Sequence, residues 1–326
     1  MEFDLIDAIR ARVAIARDDV ALGIGDDAAL TGIAPGQQLV ACVDTLVAGV
    51  HFPRDTAPED IGWKSLAVNL SDLAAMGAVP TWALLALTLP EADPLFVESF
   101  AAGFSALARA HEVALIGGDT TQGPLSITVT ALGMVPAGEA LTRAGARVDD
   151  AVFVTGTLGD AAGALRLHQE AGSRGHGTKV QRPSTTTLSL RLNRPEPRIA
   201  AGLALSGIAN ACIDISDGLL ADLGHVCTAS GVGAELEVEA LPISPALAAA
   251  FDPAACRELA LAGGDDYELC FTVARAREAE VQAALARAGC HATRIGRIVA
   301  GSGVRVLDAH GSEVVMPQAG WEHFSQ

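Results

Sequence analysis

The chain has 326 residues, of which 50% are hydrophobic and only 4% aromatic. This length allows two domains of ordinary size, and the apolar fraction argues against extended disorder. The formal net charge of −17 argues against a nucleic-acid partner, because such binding needs a basic face.

Cysteine spacing and hydropathy indicate the compartment. The six cysteines are widely spaced without a CxxC pair, which predicts neither a zinc site nor a disulfide framework. The first residues lack the basic region of a signal peptide. Residues 73–90 are uncharged, but Gly77 and Pro80 break them into a helix end, a turn and a buried strand. We therefore expect a soluble, reduced, cytoplasmic protein with no membrane contact.

Helical and extended patterns are mixed along the chain. Helical periodicity occurs at 58–76, 94–111, 159–171, 196–206, 217–230 and 275–288. Apolar, β-branched runs predict strands at 39–47, 81–89, 125–135, 151–155, 234–238, 268–273 and 304–307. This mixture predicts an α/β (α+β) fold, although its order is too irregular for a barrel or a simple doubly wound sheet.

Two polar stretches divide the pattern. The stretch 136–145 contains proline and glycine and is the best domain boundary, which predicts domains at 1–136 and 137–326. The second stretch, 172–191, is long and hydrophilic, and we expect a mobile loop within the second domain.

Several aspartates stand where a solvated surface would not place them. They lie beside glycines or within apolar runs: Asp26, Asp27, Asp44, Asp119, Asp214, Asp217, Asp265 and Asp266. In the helix at 58–76, Ser65, Asn69 and Asp72 fall at i, i+4 and i+7 and form one polar stripe.

A metal site explains these aspartates better than isolated caps do. One aspartate after a glycine usually caps a helix or closes a turn, and Asp217 or Asp266 alone fits that role. Recurrence without matching lysines and arginines favours a cation, because unpaired buried carboxylates are costly. Oxygen ligands favour Mg²⁺ or Ca²⁺, and Mg²⁺ completes its shell with water and phosphates. The pattern predicts several Mg²⁺ ions around a polyphosphate, as in a kinase.

Other chemistries fit less well. The chain has no GxxxxGKS or GxxxxGKT phosphate loop, no HRD or DFG set and no GxSxG elbow. Residues 23–28 match GxGxxA, but two carboxylates in that turn would repel a dinucleotide pyrophosphate. We therefore expect no side-chain nucleophile.

Ten motifs in order resemble the thiamine-monophosphate kinase family from about residue 3 to residue 324. They read GIGDDAAL, VDTLVAGVHF, NLSDLAAMGAVP, LIGGDTTQGPLSIT, LTRAGA, VTGTLGDAAGAL, NRPEPRI, IDISDGLLADLGH, GGDDYELCFT and GWEHF. The resemblance implies the two-domain fold of aminoimidazole ribonucleotide synthetase, with an N-terminal ATP- and Mg²⁺-binding domain that forms a homodimer through its sheet. It also implies direct phosphorylation of thiamine monophosphate to thiamine diphosphate by ATP.

The resemblance also implies roles for individual residues. The magnesium-binding positions correspond to Asp27, Asp44, Asp72, Asp119, Asp214 and Asp217. The ATP-contacting positions correspond to Gly118, Asp119, Arg143 and Ser216. The substrate-contacting positions correspond to His51, Asp265 and Trp321.

Three departures from the family pattern affect these roles. Cys42 and Val43 replace hydroxyl residues before Asp44, so a metal contact there must come from a backbone carbonyl or water. Asp265 replaces a glutamate and is one methylene shorter. Ala102 stands where the family has a tyrosine near the nucleotide.

Two alternatives stay open from the sequence. One is another ATP-using enzyme of the same superfamily, such as aminoimidazole ribonucleotide synthetase or selenophosphate synthase. The other is a non-catalytic metal- or nucleotide-binding regulator, which the lost hydroxyls at Cys42 and Val43 favour slightly.

Overall fold

A computed structural model describes residues 2–13, 15–173, 183–315 and 320. The chain forms two compact units, Met1–Leu73 with Ala78–Ala140 and Ala74–Gly77 with Leu141–Gln326. Both units combine helices with a β-sheet, so the predicted α/β class is confirmed. The functional division at residues 1–136 and 137–326 stays a prediction. Among the described helices, none combines the length and apolar character needed to cross a bilayer.

The first unit is built around a four-stranded sheet in the order β3–β6–β4–β5. The β3–β6 and β6–β4 pairs are antiparallel and the β4–β5 pair is parallel, while β1 and β2 form a separate antiparallel ribbon. The elements are α1 (Glu2–Val13), β1 (Val20–Leu22), β2 (Leu30–Thr31), β3 (Gln37–Val47), α2 (Pro58–Ala75), β4 (Val79–Leu89), α3 (Pro94–Ala110), β5 (Ala114–Gln122) and β6 (Ser126–Pro136).

Glycines allow α2 and α3 to pack closely. A Cβ atom added to Gly62 would lie 2.0 Å from the carbonyl oxygen of Phe100, and one added to Gly103 would lie 1.8 Å from that of Glu59. Asp93 fixes the start of α3, because its carboxylate accepts two backbone N–H bonds of the first turn, at 3.0 and 3.1 Å. The helix pair therefore has little freedom to shift.

The second unit contains a six-stranded sheet in the order β12–β9–β11–β7–β10–β8. Phe153 and Phe271 stack in its core with ring centroids 5.5 Å apart, and β7, β8 and β10 are buried throughout. The elements are β7 (Ala151–Thr155), α4 (Asp160–Ser173), α5 (Pro183–Asn193), α6 (Ile199–Leu205), β8 (Ala211–Asp214), α7 (Leu219–Ser230), β9 (Gly233–Glu237), α8 (Pro245–Ala250), α9 (Pro253–Ala262), β10 (Leu269–Val273), α10 (Glu278–Arg287), β11 (Ala292–Val299) and β12 (Gly303–Leu307). Two short 3-10 helices cover Val238–Ala240 and Arg275–Arg277.

The structure corrects several predicted elements. The stretch 172–191 is not one loop, because residues from Pro183 onward form α5; residues 174–182 lie outside the described part. Strand β5 was not among the predicted strands; it continues past the short apolar run at 113–116 to Gln122, pairing with β4. The sequence also missed α1, β1, β2, β8, β11, α8 and α9. β8 is only four residues long and β11 carries two arginines and a glycine, so neither has a clear apolar run.

Candidate active site

Strand β3 and helix α2 meet at Asn69, the centre of the predicted polar stripe. Its side chain is fully buried. Its Oδ1 accepts the backbone N–H of Asp44 at 3.1 Å, and its Nδ2 donates to the Ser65 carbonyl oxygen at 3.1 Å. The Cys42 thiol donates to the Asn69 carbonyl oxygen at 3.3 Å. Asn69 therefore fixes the strand segment that carries Asp44 against the helix that carries Asp72.

Asp44 and Asp72 act on the same sulfur atom. Burial raises the pKa of the Cys42 thiol far above its ordinary value, and the Asp72 and Asp44 carboxylates add to the rise. The thiol therefore stays protonated and serves as a hydrogen-bond donor. Val43, which also replaces a hydroxyl residue of the family pattern, is 60% exposed and points to the opposite face of the strand. The structure thus places two of the predicted metal ligands near each other.

Gly118 and Asp119 lie on β5, at the edge of the sheet. A Cβ atom on Gly118 would lie 1.9 Å from the carbonyl oxygen of Leu85, so the packing of β5 against β4 itself requires glycine there. Asp119 is exposed and borders a small pocket that is lined mainly by isoleucine and leucine side chains of the first unit. Its carboxylate is accessible to a ligand.

Asp27 lies in an exposed loop after β1, where its backbone N–H donates to the Asp26 carboxylate at 2.8 Å. Across the described residues, no three His, Cys, Asp or Glu side chains come close enough together to hold a metal ion by themselves. A complete protein cage is not required for Mg²⁺, which usually binds one or two carboxylates with water and phosphate oxygens. The pair of Asp44 and Asp72 fits that donor requirement.

His51 closes the turn after β3. Its ring Nδ1 accepts the backbone N–H of Val47 at 3.0 Å, and the backbone N–H of His51 donates to the Val47 carbonyl oxygen at 3.0 Å. The nearly buried ammonium group of Lys64 donates to the His51 carbonyl oxygen at 3.2 Å. Because Nδ1 is an acceptor, the neutral ring carries its proton on Nε2. The turn alone explains a histidine here, and its predicted substrate contact stays a prediction.

In the second unit, Asp222 organises the loop that contains Asp214, Ser216 and Asp217. Its Oδ2 accepts three consecutive backbone N–H groups, those of residues 216 to 218, at 3.0, 3.1 and 3.2 Å. Gly218, and not Asp217, is the N-cap of α7. Burial raises the pKa of Asp222 to about 7, and the Asp214 and Asp217 carboxylates add to the rise. The three carboxylates are therefore neighbours.

Asp222 was not among the predicted site residues, although it lies inside the IDISDGLLADLGH motif. Only its position in the first turn of α7, four residues after Gly218, could have indicated that it reaches back to the loop. An acidic residue in a first turn is common at helix N-termini, so this signal is weak.

The loop of Asp214 to Gly218 is hydrogen-bonded to the loop that carries Asp265. The backbone N–H of Asp265 donates to the Ser216 carbonyl oxygen at 2.8 Å, and that of Tyr267 donates to the Ile215 carbonyl oxygen at 2.8 Å. The structure thus brings together a predicted ATP contact and a predicted substrate contact.

The structure says less about the surroundings of two further predicted residues, Arg143 and Trp321. Arg143 is exposed, and its carbonyl oxygen accepts the Ser230 hydroxyl at 3.3 Å. Trp321 lies outside the described residues. Gly320, directly before it, lies so close to the loop that an added Cβ atom would be 2.7 Å from the Asp217 carbonyl oxygen.

A second missed residue, Glu268, is fully buried at the start of β10. Arg198 binds both of its carboxylate oxygens, at 2.6 and 2.7 Å, and Arg191 binds one at 2.5 Å. The Thr155 hydroxyl donates to it at 2.6 Å. This cluster fixes the base of the loop that carries Asp265.

The fold agrees with comparisons to known proteins. Residues 25–135 match the model of the AIR synthase related protein N-terminal domain, and residues 147–309 match that of the C-terminal domain. Structures of the hydrogenase maturation protein HypE, at 20% identity and a TM-score of 0.74, share the fold. The class is therefore the two-domain AIR synthase-related fold.

Closer relatives define the family. The Escherichia coli K12 thiamine-monophosphate kinase is 45% identical over 324 residues, covering 99% of this chain and 98% of the relative. The Bacillus subtilis 168 enzyme is 37% identical over 331 residues, covering 99% of each chain. The Stenotrophomonas maltophilia K279a thiamine-monophosphate kinase structure is 53% identical with a TM-score of 0.88, over 96% of this chain and 98% of that one. The structure of AaThiL complexed with AMPPCP and TMP is 34% identical with a TM-score of 0.78, over 99% and 97%. The chain belongs to the thiamine-monophosphate kinase family.

Proposed function

We propose that this chain phosphorylates thiamine monophosphate to thiamine diphosphate with ATP as the phosphoryl donor. The observation that carries this proposal is 45% identity to an enzyme of that name over 99% of the chain. The neighbouring carboxylates Asp44 and Asp72, and the paired loops of Ser216 and Asp265, support it.

Mg²⁺ ions are part of the proposal. We assign them to the six aspartates that resemble the family's metal ligands: Asp27, Asp44, Asp72, Asp119, Asp214 and Asp217. The donors are oxygen atoms, as Mg²⁺ prefers, and the nearby Cys42 thiol is held protonated and does not compete as a soft thiolate. When bound, the ions would neutralise the charge that keeps two phosphorylated molecules apart.

The reaction needs no protein nucleophile. A phosphate oxygen of thiamine monophosphate, already ionised at neutral pH, attacks the γ-phosphorus of ATP. The new P–O bond forms as the bond to the β–γ bridging oxygen breaks, and ADP leaves with that bonding pair. The chain's task is to align the two molecules. We assign ATP contacts to Gly118, Asp119, Arg143 and Ser216. We assign thiamine contacts to His51, Asp265 and Trp321.

The first unit also supports the proposed homodimer. On β3 and β4, Leu39, Val43, Val79 and Leu84 are between 36% and 60% exposed. Val43 and Leu84 align with the same residue of β6, and so do Leu39 and Val79, so all four lie on one face of the sheet. An exposed apolar sheet face fits a second copy of the chain. We also propose a cytoplasmic location. All six cysteines are free thiols, which supports this location.

The test is to incubate the protein with ATP, Mg²⁺ and thiamine monophosphate and to separate the products by chromatography. Thiamine diphosphate formed in a one-to-one ratio with ADP is the expected result. ADP release with the substrates of aminoimidazole ribonucleotide synthetase or selenophosphate synthase, and none with thiamine monophosphate, would favour those enzymes. ATP binding without any product would favour a regulator.

A further inference from the structure

Unusual backbone angles occur in the loop between α9 and β10. Asp265 has φ of 69° and Tyr267 has φ of 50°, whereas the other described non-glycine residues with positive φ, Glu112 and Asp149, lie in separate turns. Side chains disfavour this left-handed region, and residues remain there only where surrounding contacts impose it. Such positions are often found at binding sites, so the contacts that hold this loop are informative.

The residues on either side of Tyr267 are fixed. The carboxylate of Asp266 accepts the backbone N–H of Gly159 at 2.9 Å, and Glu268 is held by Arg191 and Arg198. The Tyr267 ring is only 8% exposed. The backbone and ring therefore hold the phenolic oxygen in one position.

That phenolic oxygen donates a hydrogen bond to Oδ1 of Asp265 at 3.0 Å. Asp265 stands where the family has a glutamate, and its shorter side chain reaches less far. Its orientation therefore matters more for any contact with a ligand. We propose that Tyr267 is a positioning residue that orients the Asp265 carboxylate toward thiamine monophosphate. This inference rests on the proposed function, since it assigns a task within the same substrate site.

Tyr267→Phe keeps the ring and removes the hydroxyl. Loss of one hydrogen bond to a charged group is expected to raise KM for thiamine monophosphate about tenfold. KM for ATP should stay within about twofold, because Asp265, which accepts this hydrogen bond, is a predicted substrate contact and not a predicted ATP contact. A general loosening of the loop would instead change both KM values, because the Asp265 backbone N–H is bonded to Ser216.

A double-mutant cycle tests the coupling. If Tyr267 acts through Asp265, Tyr267→Phe should have little further effect on KM once Asp265→Ala has removed the carboxylate. Thr228→Val is the matched control: it also removes one hydroxyl, which donates to the Gly224 carbonyl oxygen at 2.9 Å within α7. The control should leave both KM values unchanged. Additive effects in the cycle would overturn the proposal.

The chain contains a single tyrosine, which gives a direct probe without any substitution. Protein grown with 3-fluorotyrosine should show one ¹⁹F resonance, which shifts when thiamine monophosphate is added without nucleotide. An unmoved resonance in protein that still makes thiamine diphosphate would overturn the positioning role alone. Protein that makes no thiamine diphosphate would overturn the proposed function, and this role with it.

Discussion

Replacing Glu268 by glutamine should destabilise the second unit strongly. Glu268 is fully buried, and two guanidinium groups and one hydroxyl lie within 2.7 Å of its oxygens. Glu268→Gln removes the negative charge and leaves Arg191 and Arg198 next to each other without it. Breaking a buried ion pair on one side costs about 3–5 kcal/mol.

This cost can be measured as a melting temperature. For a unit of this size, 1 kcal/mol corresponds to about 2–4 °C, so the midpoint should fall by roughly 10 °C in differential scanning calorimetry. Glu196→Gln is the control, because Glu196 is 70% exposed and meets Arg198 at 3.3 Å. An exposed pair contributes at most about 1 kcal/mol, so the control should melt within about 3 °C of the parent. Equal midpoints for Glu268→Gln and the parent would refute the reasoning.

Three more changes test the proposed sites. Asp72→Asn should lower kcat about 100-fold or more at an unchanged melting temperature, because it removes a proposed metal ligand, and near-normal turnover would contradict the assignment. Val43→Lys should yield monomers by light scattering, because it puts a charge on the apolar sheet face; a dimer that persists would place the interface elsewhere. Burial raises the pKa of Asp222 to about 7, so folding takes up a proton between about pH 4 and pH 7. The contribution of this carboxyl group to the unfolding free energy therefore falls as pH rises through that window. In EDTA, the unfolding free energy of Asp222→Asn relative to the parent should therefore rise by up to about 4 kcal/mol between pH 4 and pH 8 in urea titrations, and a constant difference would contradict this.

The sequence alone predicted the polar stripe and the strand aspartate that meet at Asn69. Ser65, Asn69 and Asp72 have helical spacing, and Asp44 interrupts an apolar strand. Both patterns depend on local periodicity, and the structure joins them through Asn69. Asp222 could not be found in this way, because its role depends on one oxygen reaching three N–H groups of a loop.

Helices and strands were harder to predict where they consist of polar residues. Arg191 lies in a hydrophilic stretch that resembles a loop, yet it belongs to α5 and binds the buried Glu268. Its charge is paired with a carboxylate 77 residues away, which no local pattern reveals. Likewise β5 extends beyond its apolar run because its backbone pairs with β4.

The buried carboxyl groups of Glu268 and Asp222 in the second unit have different kinds of hydrogen-bond partner. Glu268 binds two arginines, so its charge is cancelled within the protein and it has little to offer a cation. Asp222 accepts three backbone N–H groups, which are dipoles and not charges, and its pKa is raised by burial first and then by the Asp214 and Asp217 carboxylates. Three carboxyl groups therefore lie around the Asp214–Gly218 loop, and burial keeps the Asp222 carboxyl partly protonated near neutral pH. This arrangement is compatible with the cation site that we propose for Asp214 and Asp217.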